Sequence, residues 1–184
     1  MTKWTGYFLE LIFLDPKDCI FIDETGCCLN MTSLYGRSLR GERACGERPA
    51  SKGQRISMIG ALDINGLLDC MCFGGTLNGT VFSYYIENFL MKYLAPGKTV
   101  IFDNASPHKN QEALNLIEKS GADILFLPSY CPDLNPIEFC WSKIKHFLRN
   151  LKARTAEELY RGYADSLKLI DSKMAAACFR HCGL

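Results

Sequence analysis

What the sequence lacks narrows it first. No apolar run approaches the ~20 residues of a membrane-spanning helix, so no membrane partner is expected. The opening Met-Thr-Lys-Trp-Thr-Gly-Tyr-Phe-Leu-Glu is not patterned as a signal peptide, because its apolar stretch is short and interrupted by Glu10 and Asp15. No Cys-x2-Cys pair occurs among the ten cysteines, which excludes the common zinc-finger spacings. No internal repeat and no low-complexity tract is present, so neither a solenoid nor a biased tail is expected. The net charge is only +1, which excludes a uniformly basic polyanion binder.

What is there suits one domain with a real core: 184 residues, 48% hydrophobic and 22% charged. Without a secretion signal the cysteines are expected to be reduced intracellular thiols. Cys70-x-Cys72 reads as alternate positions on a strand, and Cys178, His181 and Cys182 as neighbours on a C-terminal helix rather than a metal site. The small net charge hides an uneven spread. Residues 36–55 carry Arg37, Arg40, Arg43, Arg48, Lys52 and Arg55 against Glu42 and Glu47. Residues 139–154 carry five Lys/Arg and no acid. Two basic patches on an otherwise acidic body point to a localised polyanion contact; an ordinary solvated loop and helix face is the plainer alternative.

Along the chain, residues 1–18 form a lead-in, with a turn or two of helix around Tyr7–Ile12. A strand over 19–23 is expected to end in a turn at Glu24-Thr25-Gly26, with Cys27–Leu34 returning as a second strand. Residues 36–54 have the glycine and proline content of a loop. Arg55–Leu62 and Leu67–Phe73, joined through Asn65-Gly66, read as a hairpin. A helix over 80–94, a strand to Asp103, a helix near Gln111–Lys119 and a strand over 123–127 follow. Thr155-Ala-Glu-Glu158 is a capping box opening a helix to about Ile170, and Ser172–His181 reads as a last short helix. Strands alternating with helices give an α/β fold, a mixed sheet with helices packed on its faces.

The most informative stretch is 127–145. Pro128, Pro132 and Pro136 forbid a helix through its first part. Asn135 can then act as N-cap, with Pro136 at the first helical position and Glu138 in the first turn. Ile137, Trp141, Ile144, Leu148 and Leu151 follow the helical period as its buried stripe. Glu138, Lys145, Arg149 and Lys152 share a neighbouring face. Glu138 alone reads first as a helix-capping acid. Two strand-like runs supply further acids, Asp23 after Cys-Ile-Phe-Ile and Asp103 after Thr-Val-Ile-Phe.

Asp23 after a strand, Asp103-Asn104-Ala105 after another, and Pro-Asp-Leu-Asn-Pro-Ile-Glu placing 34 residues between Asp103 and Glu138 together resemble a DDE transposase. The resemblance is to the mariner superfamily, in its bacterial insertion-sequence branch, and covers roughly residues 18–152. It implies a ribonuclease H-like fold with a mixed five-stranded sheet and helices on both faces. It also implies a lead-in over 1–18, a catalytic domain over 19–152 and a C-terminal helical extension over 153–184. Asp23, Asp103 and Glu138 would be the catalytic residues and the metal ligands.

Gathered carboxylates repel one another unless a cation sits among them, and oxygen-only ligands suit Mg²⁺ or Mn²⁺. Two ions about 4 Å apart would serve an in-line phosphoryl displacement. The activity implied is DNA cleavage followed by strand transfer, on double-stranded transposon ends and target, by a homodimer. Arg37, Arg40, Arg43, Lys52, His108, Lys145 and Arg149 are the candidate nucleic-acid contacts. Glu24, alternate to Asp23, is expected on the opposite face in a structural or solvent role. Only 22 residues precede Asp23, too few for a helix-turn-helix, so end recognition is expected from an N-terminal segment, truncated or encoded in a separate reading frame. The resemblance places the protein in a bacterial cytoplasm, at the nucleoid. The alternatives are an inactive remnant that only binds, another ribonuclease H-like nuclease, or an Asp-nucleophile phosphatase. For the last, Thr25 stands where a second acid is needed.

Overall fold

A computed structural model describes residues 13–33, 35–128 and 131–184. The helical turn expected around Tyr7–Ile12 lies outside the described residues. Strand β1 spans Cys19–Cys28, β2 Arg55–Asp63, β3 Gly66–Gly74, β4 Thr99–Phe102 and β5 Asp123–Phe126. They form one five-stranded sheet in the order β3-β2-β1-β4-β5. The first three strands are antiparallel, and β4 and β5 run parallel to β1. This is the mixed sheet expected of the ribonuclease H-like fold, with the first strand central beside the fourth.

The helices are α1 (Gly79–Tyr85), α2 (Gln111–Lys119), α3 (Pro136–Leu151), α4 (Ala156–Leu167) and α5 (Ser172–His181). Alternation along β1 sorts two cores. Cys19, Phe21 and Cys27 face α3, α4 and α5, where Trp141, Ile144, Tyr163 and Phe179 are buried. Ile20 and Ile22 face α1 and α2, where Phe82, Ile86, Ala113 and Ile117 are buried. The C-terminal helices share the first of these cores: the Tyr163 hydroxyl donates to the Ile56 carbonyl, and Phe179 meets Phe21 edge-on at 5.4 Å.

Three expectations need correction. There is no turn at Glu24-Thr25-Gly26 and no strand returning from Cys27; β1 runs on to Cys28, held by antiparallel pairing of Glu24, Thr25 and Gly26 with Ile59, Met58 and Ser57, and residues 29–33 are not a strand. The Arg55 guanidinium lies over Gly26. The helix expected over 80–94 is three pieces: α1, a wide turn over Ile86–Leu90 and a tight turn over Met91–Tyr93. In the wide turn Phe89 stacks on Tyr85, with ring centres 5.8 Å apart. Leu151 is 45% exposed, so the buried stripe of α3 ends at Leu148 and gains Cys140 instead.

Candidate active site

Asp23 sits within β1, on the face that packs against α3. Its residue pairs across the antiparallel ladder with Gly60. On the other side, the parallel register runs Cys19↔Thr99, Ile20↔Val100 and Phe21↔Ile101. Continued by two residues, it sets Asp23 beside Asp103, the first residue past β4. The third acid comes from α3. Asn135 precedes that helix in extended backbone, Pro136 opens it and Glu138 lies in its first turn. The Asn135 side chain makes no capping bond, so the proline and the helix's packing set the start.

The electrostatics register this meeting. Asp23 is 8% exposed, and its Oδ2 has no hydrogen-bond partner among the described residues. Burial, then the Glu138 and Glu24 carboxylates, push its pKa well above the usual range, with Asp103 adding to the rise. Its Oδ1 accepts from the Glu24 backbone N–H at 2.8 Å. Asp103 behaves in the opposite way. Its Oδ1 meets His108 Nδ1 at 2.6 Å and accepts from the Ala105 N–H at 2.9 Å. The His108 hydrogen bond, first, lowers its pKa. An ionised carboxylate only accepts, so the shared proton resides on Nδ1.

His108 is the residue the sequence misplaced. As a candidate phosphate contact it would have to be exposed; it is 0% exposed, wedged against Phe82 and Phe102 at 4.8 and 5.5 Å between ring centres. Glu24 does project to the face opposite Asp23, yet it is not a solvent residue. Its Oε2 stands 3.8 Å from His108 Nε2. Burial raises its pKa, and His108 opposes that rise. Asn104 has a structural role, donating to the Leu127 carbonyl at 3.0 Å and tying the ends of β4 and β5 together.

These residues fit a hard divalent cation in their chemistry: carboxylate oxygens only, one of them buried and unpartnered. As the side chains stand, no group of three or more Asp, Glu, His or Cys among the described residues is gathered as a metal cluster.

The two basic runs of the sequence do meet. Lys52 from the β1–β2 loop and Lys145 and Arg149 from α3 line one cavity of about 360 Å³, floored by Gly26, Cys27 and Cys28 of β1. Arg48, not singled out by sequence, lines it too and also borders a neighbouring cavity of about 390 Å³ with Lys152. Arg37, Arg40 and Arg43 are exposed on the loop and line neither cavity. Arg154 anchors the loop's start, donating to the carbonyls of Leu29 and Met31 at 3.0 Å each. Cys27 lies four residues beyond Asp23 on the same face of β1, about 13 Å along the strand.

The family model described as DDE superfamily endonuclease matches residues 18–160. The Tc3 transposable-element transposase of Caenorhabditis elegans is 25% identical over 185 residues, covering 97% of this chain and 54% of that protein. The Tcb1 transposase of Caenorhabditis briggsae is 28% identical over 90 residues, 47% of this chain and 33% of its own length. The chain therefore spans about half, or less, of the curated relatives it matches. Among solved structures, a pre-cleavage Mos1 transpososome superimposes with a TM-score of 0.81 at 13% identity, covering 97% of this chain and 56% of that one. The isolated catalytic domain of Mos1 mariner transposase gives 0.66 at 12% identity, covering 97% and 82%. That likeness is one of fold, and the fold is ribonuclease H-like. The family match takes in the whole sheet and residues 23, 103 and 138: this chain belongs to the DDE superfamily endonucleases.

Proposed function

We propose that this chain is the catalytic part of a transposase that cleaves DNA and transfers the freed strand with Mg²⁺ or Mn²⁺, two ions in the working site. The observation that supports the reading is the Asp23 oxygen that is buried and without a hydrogen-bond partner among the described residues, on a carboxyl that the Glu138 and Asp103 charges both push upward in pKa. A buried carboxylate crowded by like charges is costly unless a cation compensates it. Asp23, Asp103 and Glu138 would hold the metal. When bound, such ions polarise a phosphodiester and favour an in-line displacement at it. The protein's own residues would set the frame: Asp23 within β1, Asp103 just past the parallel β4, and Glu138 in the first turn of the proline-opened α3.

Arg48, Lys52, Lys145 and Arg149 supply the path for the DNA backbone. Lys145 follows Glu138 by seven residues, about 10 Å along the helix. Phosphates along one strand recur about every 3.4 Å of axis. The cavity thus serves phosphates roughly three nucleotides from the one being cut. Lysines and arginines on a backbone carry no sequence information, so reading of the transposon ends is assigned to a helix-turn-helix segment, encoded separately or elsewhere in a longer protein. Neighbours of this fold are described as paired-end and strand-transfer complexes of Mos1, which supports double-stranded DNA as the partner and a dimer as the working form. The Pro-Asp-Leu-Asn-Pro-Ile-Glu string with its spacing supports the bacterial insertion-sequence branch, and with it a site of action at the nucleoid.

The test is nicking of a supercoiled plasmid in Mn²⁺. Cleavage is expected, abolished by EDTA and by Asp23→Asn, Asp103→Asn or Glu138→Gln, each variant still folded. An Asp103→Asn protein that cleaves at the wild-type rate would overturn the assignment.

A further inference from the structure

We propose that His108 is a positioning residue for the acid site: it pins one oxygen of Asp103 from beneath, so that the other oxygen is presented singly to the cation shared with Asp23. The inference rests on the metal reading above and goes beyond it.

Each aspartate has one oxygen committed and one free. Asp103 Oδ1 takes both the His108 imidazole and the Ala105 N–H, at 2.6 and 2.9 Å. Its Oδ2 takes no hydrogen bond among the described residues, and the side chain is half exposed. Asp23 Oδ1 takes the Glu24 N–H at 2.8 Å, and its Oδ2 is buried without a hydrogen-bond partner among the described residues. Two singly presented oxygens, one within β1 and one just past β4, would suit a small ion that keeps several waters. They suit it better than a large ion clasped by bidentate carboxylates.

The Ala105 bond alone would not fix Asp103. A backbone N–H two residues on is an ordinary turn partner, and the carboxylate lies just past Phe102, the last residue of β4 paired with β5. His108 supplies the second, rigid donor. A tight turn over Ser106–Lys109 folds the chain back, its His108 N–H donating to the Ala105 carbonyl at 3.1 Å. The ring is then held by Phe82 of α1 and Phe102 of β4. Glu24 closes the remaining side, 3.8 Å from Nε2. β1 thus sends one carboxylate to each face, Asp23 to the cation and Glu24 to the imidazole that steadies its neighbour. Outer-shell donors of this kind commonly matter to metal affinity by about 10–100-fold.

The experiment measures Mn²⁺ binding to the whole chain without DNA, by calorimetry, alongside thermal melting. His108→Phe keeps the aromatic packing and removes the donor; His108→Asn keeps a donor near the Nδ1 position. We expect the phenylalanine variant to bind Mn²⁺ about 10–100-fold more weakly and the asparagine variant to recover most of that loss. Equal affinity in His108→Phe and wild type, or an asparagine variant as weak as the phenylalanine one, overturns the inference. A second readout needs no variant of His108. The imidazole Nδ1 proton resonance of the wild type should shift as Mg²⁺ saturates the site, and a resonance that stays still through saturation also overturns it. Asp23→Ala separates the two levels of argument. If it abolishes binding while His108→Phe does not weaken it, only the positioning role fails. If it leaves Mn²⁺ binding unchanged, the metal reading fails and this inference with it.

Discussion

Trp141 lies against the bare backbone of Gly60, and Gly60 is the residue paired across the ladder with Asp23. The indole comes from one turn beyond Glu138 on α3, so the same contact that seats the helix on the sheet sets the distance between two of the acids. A Cβ on Gly60 would stand 3.0 Å from Trp141 and 2.7 Å from the Cys70 sulfur. Gly60→Ala is therefore expected to cost about 1–3 kcal/mol by overpacking and to lower cleavage beyond its effect on stability. Denaturant melts and plasmid nicking on one preparation test this; an alanine variant with wild-type stability and rate would show that α3 does not rest on this contact.

Asp23 is expected to cost stability in the metal-free protein. An acid whose folded pKa is raised destabilises the fold once pH passes its unfolded value, and the cost is full above the folded one. The metal-free wild type should thus lose stability as pH climbs from the ordinary value of 3.8 through the raised one. Asp23→Asn should flatten that limb and melt higher at neutral pH while binding no Mn²⁺. A variant that melts lower at pH 7 would mean that the carboxylate is compensated in a way the structure does not display.

Lys145→Ala with Arg149→Ala is expected to weaken binding to all duplexes alike. The slope of log affinity against log salt should fall by about 1 for each phosphate no longer neutralised. Arg48→Ala, singled out by the cavity, should behave the same way. An unchanged slope would return these side chains to an ordinary solvated helix face.

Cys140 on α3 and Cys178 on α5 share a hydrogen bond, which lowers the Cys178 pKa and raises that of Cys140. Cys182, just past the end of α5, is pushed up to about 12, chiefly by burial. Differential alkylation read by mass spectrometry should find Cys178 modified at lower pH than Cys182. Cys140→Ala should move that onset upward. If the alanine variant leaves the onset in place, the thiol pair does not share its proton.

Much of the fold was legible because its signals are local. Asn65-Gly66 marks a hairpin, and Thr155-Ala-Glu-Glu158 a capping box whose two reciprocal bonds form as expected. Asp23 and Asp103 each follow an apolar run that does form a strand, and Pro136 opens the helix that carries Glu138 in its first turn, as expected. What the sequence concealed depends on partners distant in the chain. Gly26 reads as a turn former until the Arg55 side chain that covers it is placed. His108 reads as a surface ligand until Phe82 and Phe102 close over it. Gly60 carries no signal at all: one glycine in an apolar strand betrays neither the indole above it nor the acid beside it.

The central place of β1 has a kinetic consequence. Its antiparallel partner β2 follows in the next stretch of chain, but Cys19 pairs with Thr99 and its parallel neighbour is synthesised far later. Such a topology has high contact order, and its loop-closure entropy is lost before the distant pairing compensates for it. A chain still leaving the ribosome can form the β1–β2–β3 meander, yet Asp23 has no acidic neighbour from another element until β4 docks, and none from a helix until α3 arrives. The acid cluster is thus among the last parts of the molecule to exist. The repulsion that Glu138 and Asp103 exert on Asp23 arises only once β4 and α3 have docked.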